Sequence, residues 1–159
     1  MTYPYGVHLG MVEVDPATGG VRVLRYFIAY EVGRAINPAL VEGQLAGGAA
    51  QGLGGALMEA FAYDASGQPQ CTSFMDYLIP SSAEVPPVGT HVREDAPSSG
   101  NPLQAKGAGE GGVDGAGAVV AAAVEDALGT TRAIAAVPIT PQRVRAAAGA
   151  GAGVMAAPS

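Results

Sequence analysis

Residues 41–61 read VEGQLAGGAAQGLGGALMEAF, with six glycines between Gly43 and Gly55. Asn37-Pro38, just upstream, pairs an N-cap residue with proline at the first helical position, which predicts a helix running from Pro38 to about Tyr63. Each glycine inside a helix costs about 1 kcal/mol relative to alanine, so six of them require compensation by close approach of another body. At about 100° per residue, Gln44, Gly47, Gly48, Gln51 and Gly55 fall on one stripe, with Ala46, Ala50, Leu53 and Leu57 opposite. Two occupants fit such a stripe. One is a second helix packed through a small-residue seam. The other is a flat polar ligand, met by the amide donors and carbonyl acceptors of Gln44 and Gln51.

Working outward, Val7 to Val14 alternates apolar side chains with His8, Gly10 and Glu13, and Val21 to Tyr30 is β-branched and aromatic. Asp15 to Gly20 (DPATGG) supplies turn chemistry between them, so an N-terminal β-hairpin is expected. Downstream of the long helix, Asp64 to Gly67 reads as its stop, Cys71 to Ile79 as a short strand, and Pro80 to Pro102 as an extended loop covered by a partner. Ala116 to Leu128 has Val119, Val120, Ala123, Val124 and Ala127 at helical spacing, with Gly129 as a stop. Thr140-Pro141 opens a last short helix, PQRVRAAA, and residues 149–159 form a low-complexity tail after a single lobe over residues 1–148. The fold class is α+β.

Composition narrows the function. The chain has 159 residues and 48% hydrophobic content, enough for one core, but only 14% charged residues against the roughly 25% of ordinary soluble domains. A surface so poor in charge suits coverage by a partner. A net charge of −6 with eight Lys and Arg argues against nucleic-acid binding. No run approaches the ~20 apolar residues of a membrane span, and the N-terminus MTYPYGVHLGMVEVD lacks the pattern of a secretory leader, so a cytoplasmic location is expected. Cys71 is the single cysteine, and with His8 and His91 far apart no metal-ligand set is legible, so protein side chains hold no metal in this reading. Cys71 itself reads as a small buried hydrophobe.

Lys106 to Gly112, KGAGEGG, places one carboxylate among four glycines directly before a helix. Backbone N–H groups exposed there suit an oxyanion or a polar ring edge. Residues 107–112 match G-x-G-x-x-G, yet Ser98 to Pro102 does not read as the strand that must precede it, and Thr131, Arg132 and Ala133 stand where an acidic residue is needed. A dinucleotide fold is therefore not the reading. Glu110 in a glycine-rich, alkyl-walled pocket could serve as a general base, its desolvation opposed by nearby helix amides. The same heptapeptide is also compatible with a solvated glutamate in a flexible turn.

Four stretches in order, VEGQLAGGAAQGLGGALMEAF, SFMDYLIP, NPLQAKGAGEGG and PITPQRV, resemble the C-terminal part of the molybdenum-binding large subunit of molybdenum hydroxylases. These are the xanthine dehydrogenase and aldehyde oxidase family, and MDYLIP is most similar to its bacterial carbon-monoxide-dehydrogenase-like branch. The resemblance runs from about Tyr5 to Val144. It implies that Glu110 is the catalytic base, taking a proton from a molybdenum-bound hydroxyl as that oxygen attacks the substrate. It also implies that Gln51, Gly52, Lys106, Gly107, Gly109 and, more weakly matched, Gln44 lie at the cofactor. That cofactor is a molybdenum–pterin, in its molybdopterin cytosine dinucleotide form, whose dithiolene holds the metal.

The resemblance implies partners as well: the remaining large-subunit polypeptide, separately encoded because Met1 falls in the middle of the usual chain, and iron–sulfur and FAD subunits to remove electrons. The chain alone is then inactive, and the complex hydroxylates an aldehyde or heteroaromatic small molecule with water-derived oxygen. A copper-ligating cysteine of the carbon monoxide enzymes has no counterpart in the setting of Cys71. Glu31-Val32-Gly33-Arg34 departs from an Asp-Cys-Gly-Arg type sequence, leaving that turn without an assigned role. The competing expectation is a non-catalytic remnant or assembly partner with the same fold and no cofactor.

Overall fold

A computed structural model describes residues 2–154 of the chain. Strands β1 (Tyr5–Asp15) and β2 (Gly20–Glu31) form the expected hairpin, paired antiparallel from Tyr5 opposite Glu31 to Asp15 opposite Gly20, with a bulge after Met11. Its turn is tied by Asp15, whose carboxylate accepts from the Ala17 N–H at 2.9 Å and the Thr18 hydroxyl at 2.7 Å. Those bonds hold the Asp15 carboxyl below its ordinary range. Gly19, at φ +79°, lets the turn close.

Helix α1 (Pro38–Leu57) starts where Asn37-Pro38 predicts, Asn37 Oδ1 accepting from the Leu40 N–H at 3.2 Å. It stops six residues before Tyr63. The Gly54 carbonyl accepts from both Met58 and Glu59, and the Ala56 carbonyl is taken at 2.6 Å by the N–H of Ile139, so tertiary contacts supply the ending. Asp64 to Gly67 instead makes a separate turn, closing a small bridge between Tyr63 and Pro69.

Two other expectations are corrected. Cys71 to Ile79 is not a strand: the Ser73 carbonyl accepts from Asp76 and Tyr77, its hydroxyl caps the Met75 N–H, and Phe74 and Met75 project into solvent. The strand lies further on, inside the stretch read as a loop. β3 (Val88–Arg93) pairs parallel to β2, Tyr26 opposite Val88 to Glu31 opposite Arg93, giving the sheet order β1-β2-β3. A parallel pair needs a long crossover, and α1 with the segment after it provides one.

Helices α2 (Ala116–Leu128) and α3 (Pro141–Val154) complete the fold, α2 ending as expected at Gly129 in the left-handed conformation. The helical backbone of α3 continues past Ala148 through 154, and the rest of the predicted tail, residues 155–159, lies outside the described residues. The core is one cluster: Val23, Tyr26, Ile28 and Tyr30 of β2 meet Leu45, Ala49, Leu53 and Ala56 of α1, and Val120 and Val124 of α2. Cys71 is buried, as its reading requires. Among the described residues no helix is long and apolar enough to cross a membrane.

β1 presents an inversion that periodicity alone does not settle. His8 and Gly10 turn inward under α2, with no room for a Cβ at Gly10 beside Val119, while Tyr5, Val7, Leu9 and Met11 face outward with more than half their surface exposed. One face of the hairpin is therefore apolar and open.

Candidate functional site

The segment from Gln104 to Gly115 crosses the end of the sheet and is fixed at both ends. At its start Gly33, at φ +68°, approaches so closely that a Cβ would lie 2.3 Å from the Gln104 carbonyl. The Arg34 N–H donates to that carbonyl at 3.0 Å, and the Lys106 N–H donates to Val32 O at 2.8 Å. Below them is an ion pair: Lys106 Nζ stands 2.5 Å from Glu31 Oε2, with side-chain exposures of 11% and 1%. The other Glu31 oxygen accepts from the Gly33 N–H at 2.5 Å, and Lys106 also lies 5.5 Å from the centre of the Tyr5 ring. Glu31-Val32-Gly33-Arg34 is thus the bracket that receives the glycine-rich loop.

At its far end the loop enters α1. A Cβ added to Gly112 would stand 2.2 Å from the Leu45 carbonyl oxygen and 2.8 Å from the Ala49 nitrogen, and one on Gly52 would meet the Ala116 methyl at 2.5 Å. This is the small-residue seam, made by a loop and the first turn of α2 rather than by a second long helix. Gly48 and Gly52 belong to it.

Gly43, Gly47 and Gly55 do not: a Cβ on any of them meets nothing within 4 Å, and Gln44 and Gln51 are exposed beside them. The stripe is therefore divided: one line of the helix is packed through the seam, and the adjacent line is bare. Gly107 and Gly109 are equally open.

Glu110 lies two residues before the buried Gly112, at most about 7.6 Å away along the Cα trace. Its backbone carbonyl accepts from Val113 and Asp114, so the residue opens a tight turn leading into α2. Its carboxylate is exposed, so the walls of the expected alkyl pocket are not supplied by the described residues. The Lys106 ammonium faces Glu31 rather than the open side, and Gly52 faces Ala116 and Val113. The approach of Gly112 to Gly48 seats the loop that carries Gly107, Gly109 and Glu110 on the helix that carries Gln44, Gly47 and Gln51.

Three residues were not identified as site components from the sequence. His8 bridges β1 to the loop, with Nδ1 2.8 Å from the Tyr26 hydroxyl and Nε2 2.9 Å from the Gly111 carbonyl oxygen. Tyr26, whose phenol burial pushes up to about 12, also meets the His8 ring edge to face. Tyr30 lies flat beneath Gly111, where a Cβ would be 2.4 Å from the ring, and burial together with the nearby Asp114 charge raises its phenol. Their one signal is the run of aromatic and histidine residues at inward-facing hairpin positions.

The open glycine and glutamine surface is what a planar polar group requires: backbone low enough to approach, with amide donors and acceptors at its rim. Residues 1–86 match the family model described as a molybdopterin cofactor-binding domain. The chain is 51% identical over 144 residues to the 6-hydroxypseudooxynicotine dehydrogenase complex subunit gamma of Paenarthrobacter nicotinovorans, covering 91% of this chain and 18% of that one. Its fold superimposes on quinoline 2-oxidoreductase from Pseudomonas putida 86 with a TM-score of 0.84 at 42% identity, over 91% of this chain and 18% of that one. For CO dehydrogenase from Oligotropha carboxidovorans the TM-score is 0.87 at 30% identity, over 97% and 19%. The chain thus spans less than a fifth of each of these relatives.

Proposed function

The chain belongs to the molybdopterin cofactor-binding domain family of molybdenum hydroxylase large subunits, and we propose that residues 1–148 are the C-terminal, glutamate-bearing lobe of such a subunit, with Glu110 as the general base. The observation that carries this reading is the seam at Gly112, Gly48 and Gly52, which brings the Glu110 loop against α1 beside the open stripe of Gln44, Gly47 and Gln51. A carboxylate free of other partners among the described residues then stands next to a surface shaped for a planar polar group.

Gln44, Gln51, Gly107 and Gly109 would hold the molybdenum–pterin group, taken here as its cytosine dinucleotide form, with Gly52 and Lys106 shaping that surface from behind. When bound, the group supplies the two-electron acceptor for substrate oxidation. A Glu110 carboxylate oxygen removes the proton from the water-derived oxygen that adds to the substrate carbon, assistance worth roughly 10²–10⁴-fold in rate. Two fixed peptide groups, one accepting from Val113 and Asp114 and the other from His8, limit where that carboxylate can point.

The opposite wall of the site, which excludes water from Glu110, belongs in this reading to the remaining large-subunit polypeptide. The outward face of β1, with Tyr5, Val7, Leu9 and Met11, is the apolar surface such a polypeptide would cover. Iron–sulfur and FAD subunits would take the electrons onward, in a cytoplasmic complex. A nitrogen heteroaromatic substrate is favoured over an aldehyde or carbon monoxide, because relatives at 42% and 51% identity are named for quinoline and 6-hydroxypseudooxynicotine.

The test is Glu110→Gln in the complete complex. Turnover is expected to fall by roughly 100-fold or more, with molybdenum content and thermal stability unchanged, since the side chain is exposed. Wild-type turnover in that variant would remove Glu110 as the base. Absence of both molybdenum and turnover from the wild-type complex would leave a non-catalytic remnant.

A further inference from the structure

Glu110 sits in a segment with glycine at 107, 109, 111 and 112, and glycine is the residue with the most backbone freedom to lose. A base must nevertheless be held in one direction to act on one proton. The turn bonds from Val113 and Asp114 fix the peptide unit between Glu110 and Gly111. The next peptide unit, between Gly111 and Gly112, has glycine on both sides, and its carbonyl is held by a side chain from the other end of the chain, His8.

We propose that His8 is a positioning residue for Glu110, its Nε2–H holding the Gly111 carbonyl while the Tyr26 hydroxyl holds Nδ1. The inference rests on the reading of Glu110 as the general base, and extends it to a residue that touches neither substrate nor cofactor.

Hydrogen-bond chemistry fixes the direction of the relay. A carbonyl oxygen can only accept, so at 2.9 Å from Gly111 O the Nε2 atom carries the proton. In the neutral ring Nδ1 is then an acceptor, and the Tyr26 hydroxyl 2.8 Å away donates to it. Tyr26 is suited to donating: it is 2% exposed, and burial keeps its phenol protonated to about pH 12. Gly115 packs against the ring, so closely that a Cβ there would stand 2.8 Å from its Cγ, which closes that side to movement. The result is a line of hydrogen bonds from the middle of β2 through β1 to the second peptide group after the base.

The test uses the full 159-residue chain and, for turnover, the complete complex. In the chain, nitrogen-15 spectra should show His8 protonated at Nε2 and bare at Nδ1. His8→Phe keeps a ring in place but removes both bonds. It should speed amide exchange of Val113 and Asp114 by roughly tenfold while the β1–β2 ladder exchanges as before, whereas His8→Gln, which retains a donor, should recover much of the protection. Tyr26→Phe should act in the same direction as His8→Phe with smaller effect. In the complex, His8→Phe should lower kcat by roughly 10–100-fold with KM within about twofold, and His8→Gln should regain part of it. A proton on Nδ1, unchanged exchange at Val113 and Asp114, or loss of protection spread evenly over β1 and β2 would each overturn the proposal. The exchange and tautomer results need no turnover, so they stand apart from the outcome of Glu110→Gln.

Discussion

Two groups of glycines occupy the same helix and do opposite things. Gly48 and Gly52 are pressed against Gly112, Val113 and Ala116, whereas Gly43, Gly47 and Gly55 have nothing within 4 Å of where a side chain would begin. Both groups carry the same local penalty, about 1 kcal/mol per residue relative to alanine. Only the first recovers it within this chain, through backbone packing that no other residue permits. The second is uncompensated by any contact of the described residues, which is what a surface kept bare for another body looks like. The penalty is therefore a marker of contact in one case and, in the proposed reading, of reserved space in the other, and substitutions can separate them by sign.

The largest effect is expected at the centre of the seam. Gly112→Ala puts a methyl 2.2 Å from the Leu45 carbonyl oxygen and 2.8 Å from the Ala49 nitrogen, both backbone atoms of a helix that cannot give way. Overpacking of this kind exceeds the usual 1–3 kcal/mol, and a loss of more than about 3 kcal/mol is predicted. Denaturant unfolding measures it. A change below about 1 kcal/mol would mean that the loop is not seated on α1, and Glu110 would lose its place beside the stripe.

A smaller loss is expected at Gly52. Its added methyl would stand 2.5 Å from the Ala116 methyl and 3.0 Å from the Val113 carbonyl oxygen, a looser fit than at Gly112 that a small shift of α2 relieves, and alanine returns some helix propensity. The balance is a destabilisation of about 1–2 kcal/mol. If Gly52→Ala were instead stabilising, the seam would be looser than the open stripe is bare, and the contrast between the two groups would fail.

The sequence carried the elements whose signals are local. The hairpin turn at Asp15 to Gly20, the Asn37-Pro38 start of α1, and α2 with its stop at Gly129 are all where residue chemistry puts them. β3 was not legible, because six residues with Pro upstream become a strand only by pairing with β2, from which they are separated by the whole of α1. Helix α1 ended early for the same kind of reason, its last carbonyls being taken by residues such as Ile139.

The site divides likewise. Helical geometry alone placed Gln44, Gly47 and Gln51 on one line, and the order of four motifs pointed to Glu110. What holds the loop was invisible, since Lys106 meets a carboxylate 75 residues away and Gly111 a histidine 103 residues away. His8 read as an isolated residue and Glu31 as part of an unexplained departure. Pairings of that separation are set by topology, and a single sequence does not record them.

The smallest predicted effect on stability carries the most information about function. Gly47→Ala adds a methyl to an exposed helical position with nothing within 4 Å, so the helix gains up to about 1 kcal/mol and the denaturant midpoint rises. Natural chains commonly forgo such gains, so loading of the complex, not stability, decides what the bare stripe is for. If a planar cofactor lies on the stripe, Gly47→Ala should yield a more stable chain whose complex holds less molybdenum. Gly43→Ala, at the margin of the face, should show the gain with less of the loss. A Gly47→Ala complex that is both stabilised and fully loaded would move the bound group off α1, leaving Gln44 and Gln51 as solvated side chains and close packing, at the seam and at Gly54 against Pro80, as the reason for glycine in this helix.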